Sequence, residues 1–271
     1  MRLFTHPNGL AGGQRARVYM EALGVPFTKE DAPDITHVMH YNYNQDISEC
    51  PRKLYDVAER VGTPIINERL LTITKDHVDD VFSEIFGYSL RIDPTKHYGT
   101  IVRKTNQNAV HGMRLFQGPL NPIQLHTKPM ISKTTGYAYY MQYQRFLDTR
   151  IDAETLREFR AVVIGGEVVL LMEKHIDSRC LSHPQPDKKF DIFLHWDIPS
   201  HFFSRDEQEK IQQFINNIGA DFCELDILRD NSSGLAYIID CNPVPCGGPI
   251  FKQHPEAVHK LANIFKERHL S

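Results

Sequence analysis

The sequence has no run of apolar residues approaching membrane-spanning length, so nothing in it predicts a membrane helix. Its first residues, MRLFTHPNGLAGG, carry one Arg but no apolar core of signal-peptide type. Cysteines are few and scattered: Cys50, Cys180, Cys223, Cys241 and Cys246 form an odd set with no CxxC pair. That pattern argues against a disulfide framework or a zinc site and predicts reduced thiols in a cytoplasmic protein. A net charge of −3 gives no global electrostatic case for nucleic acid as a partner. No internal repeat and no low-complexity tract is present. What the chain does have is 271 residues with 41% hydrophobic and 24% charged content, enough for one large or two small domains with an ordinary core.

The most informative stretch is Gly219 to Pro249, GADFCELDILRDNSSGLAYIIDCNPVPCGGP. It reads as two strands, Phe222–Leu228 and Leu235–Cys241, around the polar turn 229–234. Side chains alternate between faces along a strand, so Glu224 and Asp226 share one face and Leu225 and Ile227 the other. On the second strand Ile238, Asp240 and Asn242 share a face, with Tyr237 and Ile239 opposite. If the polar faces coincide, Asp226, Asp240 and Asn242 converge, since same-face diagonal neighbours lie about 7–8 Å apart. Oxygen ligands without Cys or His suit a hard cation, Mg²⁺ in particular. A solvated acidic face is the plainer reading of such a hairpin taken alone. Cys241 falls on the apolar face and reads as a packed thiol.

Elsewhere the pattern predicts an α/β (α+β) chain. Residues 1–66 alternate strands (Arg2–Thr5, Thr36–Tyr41, Thr63–Asn67) with helices (Arg15–Leu23, Cys50–Val61), which implies a parallel sheet covered by helices. The Gly9–Gly13 segment lacks dinucleotide-fingerprint spacing and reads as a turn. Thr74 caps a helix running to Phe86, with Val78, Val81, Phe82 and Ile85 as its apolar stripe and Lys75 in its first turn. A cation there is disfavoured by the helix dipole; it is either exposed or faces an anion. Strands follow at Gly99–Lys104, Met113–Phe116 and Ala138–Leu147. Residues Glu154–Ala161 read as partly helical or as an extended lead into Val162–Ile164, which turns at Gly165-Gly166 into Glu167–Glu173. Asp177–Asp197 reads as irregular. Ser204 and Glu207 form a capping box for a helix ending at Gly219, and Pro255–Arg268 is amphipathic, with Val258, Leu261, Ala262 and Phe265 inward.

Taken in order, these stretches resemble the ATP-grasp superfamily, and within it the RimK-type and glutathione-synthetase-like carboxylate–amine ligases. LREFRAVVIGGEVV (156–169), GADFCELDILRD (219–230), YIIDCNPVP (237–245) and YMQYQRFL (140–147) carry the resemblance, which is strongest over 138–249. It implies an N-terminal unit over 1–73, a small nucleotide-covering lobe over 74–145 and a C-terminal lobe over 146–271. It makes Asp226, Asp240 and Asn242 the magnesium ligands, with Asp240 where relatives usually have Glu. Arg160 becomes the catalytic, phosphate-facing arginine, and Lys174 falls near a second basic position. Lys75 and either Arg103 or Lys104 would contact the phosphates, and Gln144, Arg145 and Phe146 would form the linker whose backbone meets adenine. Two departures stand out. The phosphate-covering loop, Thr105–Gly112, has one Gly and offers Asn106, Asn108 and His111 instead. The linker glutamate is replaced by Arg145 beside Gln144.

The resemblance implies ATP and Mg²⁺ as cofactors, with Mn²⁺ as an alternative, and a ligase that forms an amide or peptide bond through an acyl phosphate. Its partners would be small carboxylate and amine substrates of amino-acid or peptide type, bound through 177–197 and 246–254. No nucleic acid and no membrane is expected, and a homodimer is compatible. A small-molecule kinase, or a nucleotide-binding regulator without turnover, would use the same residues. His183 and His195 read as ordinary loop histidines.

Overall fold

A computed structural model of the chain describes residues 1–11, 14–42, 47–107, 113–125, 130–131, 138–178, 190–245 and 253–271. Asn108, His111, Cys180, His183, Cys246 and the end of the Gly9–Gly13 turn lie outside the described residues.

The chain opens with a parallel sheet in the order β2-β1-β3-β4, formed by β1 (Leu3–Pro7), β2 (Phe27–Thr28), β3 (His37–Tyr41) and β4 (Ile65–Ile66). Its strands are short and nearly continuous in apolar residues, as a sheet covered on both faces requires. Helix α1 (Arg15–Leu23) buries Ala16, Tyr19 and Met20 against Leu3, Met39 and Tyr41. Helix α2 (Arg52–Val61) buries Leu54, Val57 and Ala58 against Phe4 and Val38 on the other side.

Helix α3 (Lys75–Phe86) starts where expected, with the Thr74 hydroxyl accepting from His77 N–H at 3.3 Å. It precedes a three-stranded antiparallel sheet, β6-β5-β9, made of β5 (Gly99–Thr105), β6 (Arg114–Gly118) and β9 (Met141–Arg145). The continuous strand expected over 138–147 is broken at Tyr140. Asn106 explains the break: its N–H donates to Tyr140 O at 3.0 Å, and its side-chain oxygen accepts from Tyr140 N–H at 3.2 Å. Residues before the break pair instead as β7 (Met130–Ile131) with β8 (Ala138–Tyr139).

The largest sheet has five antiparallel strands in the order β12-β11-β10-β13-β14. Strand β10 (Thr155–Ile164) is extended throughout, paired with β11 (Glu167–Asp177) from Thr155↔Asp177 to Ile164↔Glu167. The helical alternative for 154–161 therefore falls, because Phe159, Ala161 and Val163 alternate into the core while Leu156 and Glu158 face the cavity on the other side. Gly165 and Gly166 turn the hairpin at φ 65° and 74°, left-handed values that glycine adopts without strain. Strand β12 (Phe190–His195) lies inside the stretch read as irregular; it forms because the extended β11 offers it an edge, from Leu171↔His195 to Ile176↔Phe190. Helix α4 (Arg205–Ile218), with the expected capping box, joins α3 on one face of this sheet. Strands β13 (Phe222–Arg229) and β14 (Ala236–Asn242) follow, and α5 (Pro255–His269) packs on the opposite face with α1. In α5 Ala257 takes the buried place expected for Val258. Cys223 and Cys241 are free thiols packed on the apolar face.

Two contacts tie other parts of the chain to the large sheet, the first from the parallel sheet and the second from α5. Asn67, wholly buried at φ 60°, accepts from the N–H groups of Asp221 and Phe222 at 2.9 and 2.7 Å and donates to Phe222 O at 2.7 Å. Replacing it by Ala leaves those buried groups unpaired, so Asn67→Ala should cost on the order of 3–5 kcal/mol in denaturant unfolding. His269 Nε2 accepts from Gly165 N–H at 3.1 Å, and burial, its main perturbation, holds its pKa down at about 4. Between that value and the ordinary 6.5 the unfolded chain binds a proton that the folded chain does not. Stability is thus present above pH ~6.5 and lost as pH falls toward ~4, by at most about 3 kcal/mol. Unfolding midpoints measured down this range should fall less in His269→Gln than in the wild type.

Candidate active site

The face of the large sheet opposite α3 and α4 carries a row of charge. Cross-strand register sets Arg160 beside Asp226 and Asp226 beside Asp240, while Glu224 stands beside Asn242. Neighbouring same-face pairs of this kind are close enough to interact directly. The convergence expected of Asp226, Asp240 and Asn242 is therefore present, with Asp226 and Asp240 directly opposite each other. A bulge between Asp226 and Ile227 corrects one detail: Ile238 pairs with Ile227 in the core, and Ile239 instead borders the cavity beside Asp240.

Arg160 is enclosed by acids. Its Nη1 donates to Glu224 Oε1 at 2.6 Å, its Nε lies 3.1 Å from Asp226 Oδ1, and its Nη2 lies 3.7 Å from Glu158 Oε1. Burial opposes its charge, but Asp226, Glu224 and Glu158 together raise its pKa further. Glu224 also faces Arg15 Nη2 at 2.5 Å, and Lys174 Nζ donates to Glu158 at 3.1 Å. Across the gap, Lys75 is buried in the first turn of α3; its Nζ lies 3.7 Å from Asp240 Oδ2 and donates to Gln107 O at 3.1 Å. The anion expected as an alternative to solvent is thus supplied by the protein itself.

The register of β5 and β9 separates Arg103 from Lys104. Lys104, opposite Gln142, shares a cavity of about 320 Å³ with Val102, Gln144, Phe146, Glu158 and Ile239. Arg103 points the other way and stacks its guanidinium 4.5 Å from the Phe116 ring centre. Burial and the charge of Lys75 lower the Lys104 pKa to about 8, against the attraction of Asp240 and Asp226. Of the linker, Gln144, Arg145 and Phe146 all line this cavity. The Arg145 and Phe146 amides already donate to Leu90 O and Thr100 O, at 3.0 and 3.1 Å, which leaves side chains and carbonyls to meet a ligand. His195 sits outside the site, its Nε2 3.1 Å from Glu173 on the other face of the sheet.

The acids suit a hard cation. Asp240 Oδ1 is buried without a hydrogen bond, and Asp226 Oδ1 faces the Arg160 Nε at 3.1 Å; a further cation between the two carboxylates would satisfy both. Burial, with Glu158, Glu224 and Asp240 adding to it, raises the Asp226 pKa despite Arg160. Asn242 Oδ1 accepts from Val244 N–H at 3.0 Å, and a carbonyl oxygen has a second lone pair. Among the described residues no three His, Cys, Asp or Glu group as a metal site, so the set is two carboxylates and an amide.

No family model and no curated protein matches the chain by sequence. Solved structures match it over almost its whole length. The D-alanine–D-alanine ligase from Bacillus anthracis, complexed with ATP, gives a TM-score of 0.57 at 13% identity over 100% of this chain and 97% of its own. The ATP-grasp ligase PsnB, complexed with a phosphomimetic precursor variant, Mg and ADP, gives 0.60 at 12% identity over 98% and 97%. A RimK domain ATP-grasp protein from Sphaerobacter thermophilus gives 0.55 at 13% identity over 100% of both chains. The chain has the ATP-grasp fold.

The sequence marks Arg160, Asp226 and Asp240 of the charged row, but not the buried pair Arg15 and Glu224 beside it. Strand alternation puts Glu224 on the charged face, but nothing in the sequence pairs it with Arg15, the first residue of α1. Their connection spans most of the chain, and no local pattern signals it. The two kinds of acid should respond differently to substitution. Glu224→Ala leaves two arginines facing an empty buried site and should cost about 3–5 kcal/mol. Asp240→Asn removes only a long pair to Lys75 and should cost about 1 kcal/mol or less. Urea unfolding of the two variants measures both.

Proposed function

We propose that the chain is an ATP- and Mg²⁺-dependent ligase that joins a carboxylate to an amine and releases ADP and phosphate. The observation that carries this is the row Arg160–Asp226–Asp240 on one sheet, with Lys75 3.7 Å from Asp240, beside a cavity large enough for a nucleobase that Lys104 lines. That is the charge pattern a nucleoside triphosphate with its metal requires, cations for phosphate and acids for the metal. The kinship in fold to ligases complexed with ATP, or with Mg and ADP, supports the same reading.

In this proposal Asp226, Asp240 and Asn242 hold Mg²⁺, for which Mn²⁺ can substitute, and Lys75 and Lys104 face the phosphates. Bound there, the ion supplies charge neutralisation at the phosphoryl oxygens. Gln144, Arg145 and Phe146 wall the nucleobase pocket, and Lys174 acts through its contact to Glu158. The first step forms a bond between a substrate carboxylate oxygen and the γ-phosphorus and breaks the bond to ADP. Arg160, a permanently charged planar fork, stabilises the charge on the transferring group. In the second step an amine nitrogen attacks the acyl carbon, loses a proton, and phosphate leaves with the carboxylate oxygen. The substrates in this proposal are of amino-acid or peptide class.

Incubation with ATP, Mg²⁺ and a mixed amino-acid and peptide pool should yield ADP, free phosphate and a new condensation mass. A phosphorylated small molecule in place of the condensation product would make the protein a kinase, and tight ATP binding without ADP release would make it a regulator. Asp240→Ala and Asn242→Ala should each lower turnover at least ~100-fold. Circular dichroism should show both variants folded, and undiminished turnover in either would remove this site from the reaction.

A further inference from the structure

Arg15 opens α1, a helix of the parallel sheet, yet its side chain ends in the charged row of the large sheet. It is 2% exposed, and an arginine so deeply buried requires a carboxylate partner. That partner is Glu224, itself 0% exposed. Arg15 Nη2 lies 2.5 Å from Glu224 Oε2, and Arg160 Nη1 donates to Glu224 Oε1 at 2.6 Å. One carboxylate is thus divided between two guanidiniums, an oxygen to each. The helix start is also tied down at its backbone, because Arg15 N–H donates to Pro245 O at 2.9 Å, just past Asn242.

A carboxylate can accept two N–H groups from a single arginine fork. With Arg160 as its only cation, Glu224 would draw both of that fork's nearest N–H groups toward itself and away from Asp226. Arg15 occupies Oε2 and blocks this, so Arg160 keeps Nη1 on Glu224, Nε 3.1 Å from Asp226 and Nη2 turned toward Glu158. We infer that Arg15 is a positioning residue: acting through Glu224, it sets the angle at which Arg160 meets the terminal phosphate of the nucleotide. The inference rests on the nucleotide reading above and adds to it a physical link from the first helix of the chain to the phosphoryl-transfer arginine.

Calorimetric affinities for Mg·ADP and Mg·AMPPNP test it, because only the second nucleotide carries the terminal group that Arg160 would face. Arg15→Met should weaken Mg·AMPPNP about tenfold, the size of one lost charge-assisted hydrogen bond, and change Mg·ADP less than about twofold. Adding Glu224→Gln removes the charge that needs the second arginine but keeps an acceptor for Arg160. The double variant should therefore recover Mg·AMPPNP affinity to within about threefold of wild type. Equal weakening of both nucleotides, no weakening, or no recovery in the double variant would overturn the inference. If Arg15→Met does not fold, the double variant decides alone: near-wild-type affinities support the link, and selective loss of Mg·AMPPNP refutes it. Arg160→Met separates this outcome from a failure of the underlying reading. If that variant binds Mg·AMPPNP as the wild type does, or if the wild type binds neither nucleotide, the nucleotide reading falls and takes the inference with it.

Discussion

The site depends on how a buried carboxylate is neutralised. Glu224 has no solvent to share its charge, and it is balanced by Arg15 from the first helix and Arg160 from the central strand of the large sheet. A buried ion pair contributes little net stability against apolar residues of the same volume, but losing one partner is severe. What the arrangement provides is geometry. Arg15 can reach Glu224 only if α1 lies on the large sheet, so the parallel sheet and the charged row are fixed relative to each other. With both Glu224 oxygens facing guanidiniums, Asp226 shares Arg160 through its Nε at 3.1 Å, and Asp240 meets only the more distant Lys75 at 3.7 Å among the ion pairs of the described residues.

The large sheet divides its labour by face. One face presents Phe159, Ala161, Val163, Leu225 and Ile227 to α3 and α4 and forms an apolar core. The other presents Glu158, Arg160, Glu224, Asp226 and Asp240, with α1 and α5 covering only part of it. The apolar side makes the strands rigid, and rigidity on one face lets charges on the other be held within tenths of an ångström. Lys75 and Lys104 approach from different elements, a helix start and the small sheet. The cavity that Lys104 lines with Gln144, Glu158 and Ile239 therefore lies where separate parts of the chain meet, a common place for a ligand.

Much of this was legible because strand periodicity is short-ranged. The alternation in FCELDIL placed Asp226 and Glu224 on one face, and Thr74, Ser204 and the paired glycines at 165 and 166 marked boundaries that the structure keeps. What was not legible depends on partners distant in sequence. The Asp226–Ile227 bulge, which sends Ile238 to the core, is set by register with a neighbouring strand. The break at Tyr140 is imposed by Asn106, and β12 exists only because β11 runs on to Asp177. That Lys104 shares the cavity with Gln144 while Arg103 stacks on Phe116 is set by the register of β5 with its neighbours. The pairing of Arg15 with Glu224 had no sequence signal at all.

The fate of the carboxylate oxygen tests the proposed chemistry most directly. With an amino-acid and peptide pool labelled with heavy oxygen in its carboxylates, ATP and Mg²⁺, mass spectrometry of the released phosphate reads whether the carboxylate was activated. A ligase working through an acyl phosphate transfers one labelled oxygen to each phosphate released alongside an amide. Phosphate carrying only unlabelled or solvent oxygen, with ADP formed at the same rate, would contradict the account.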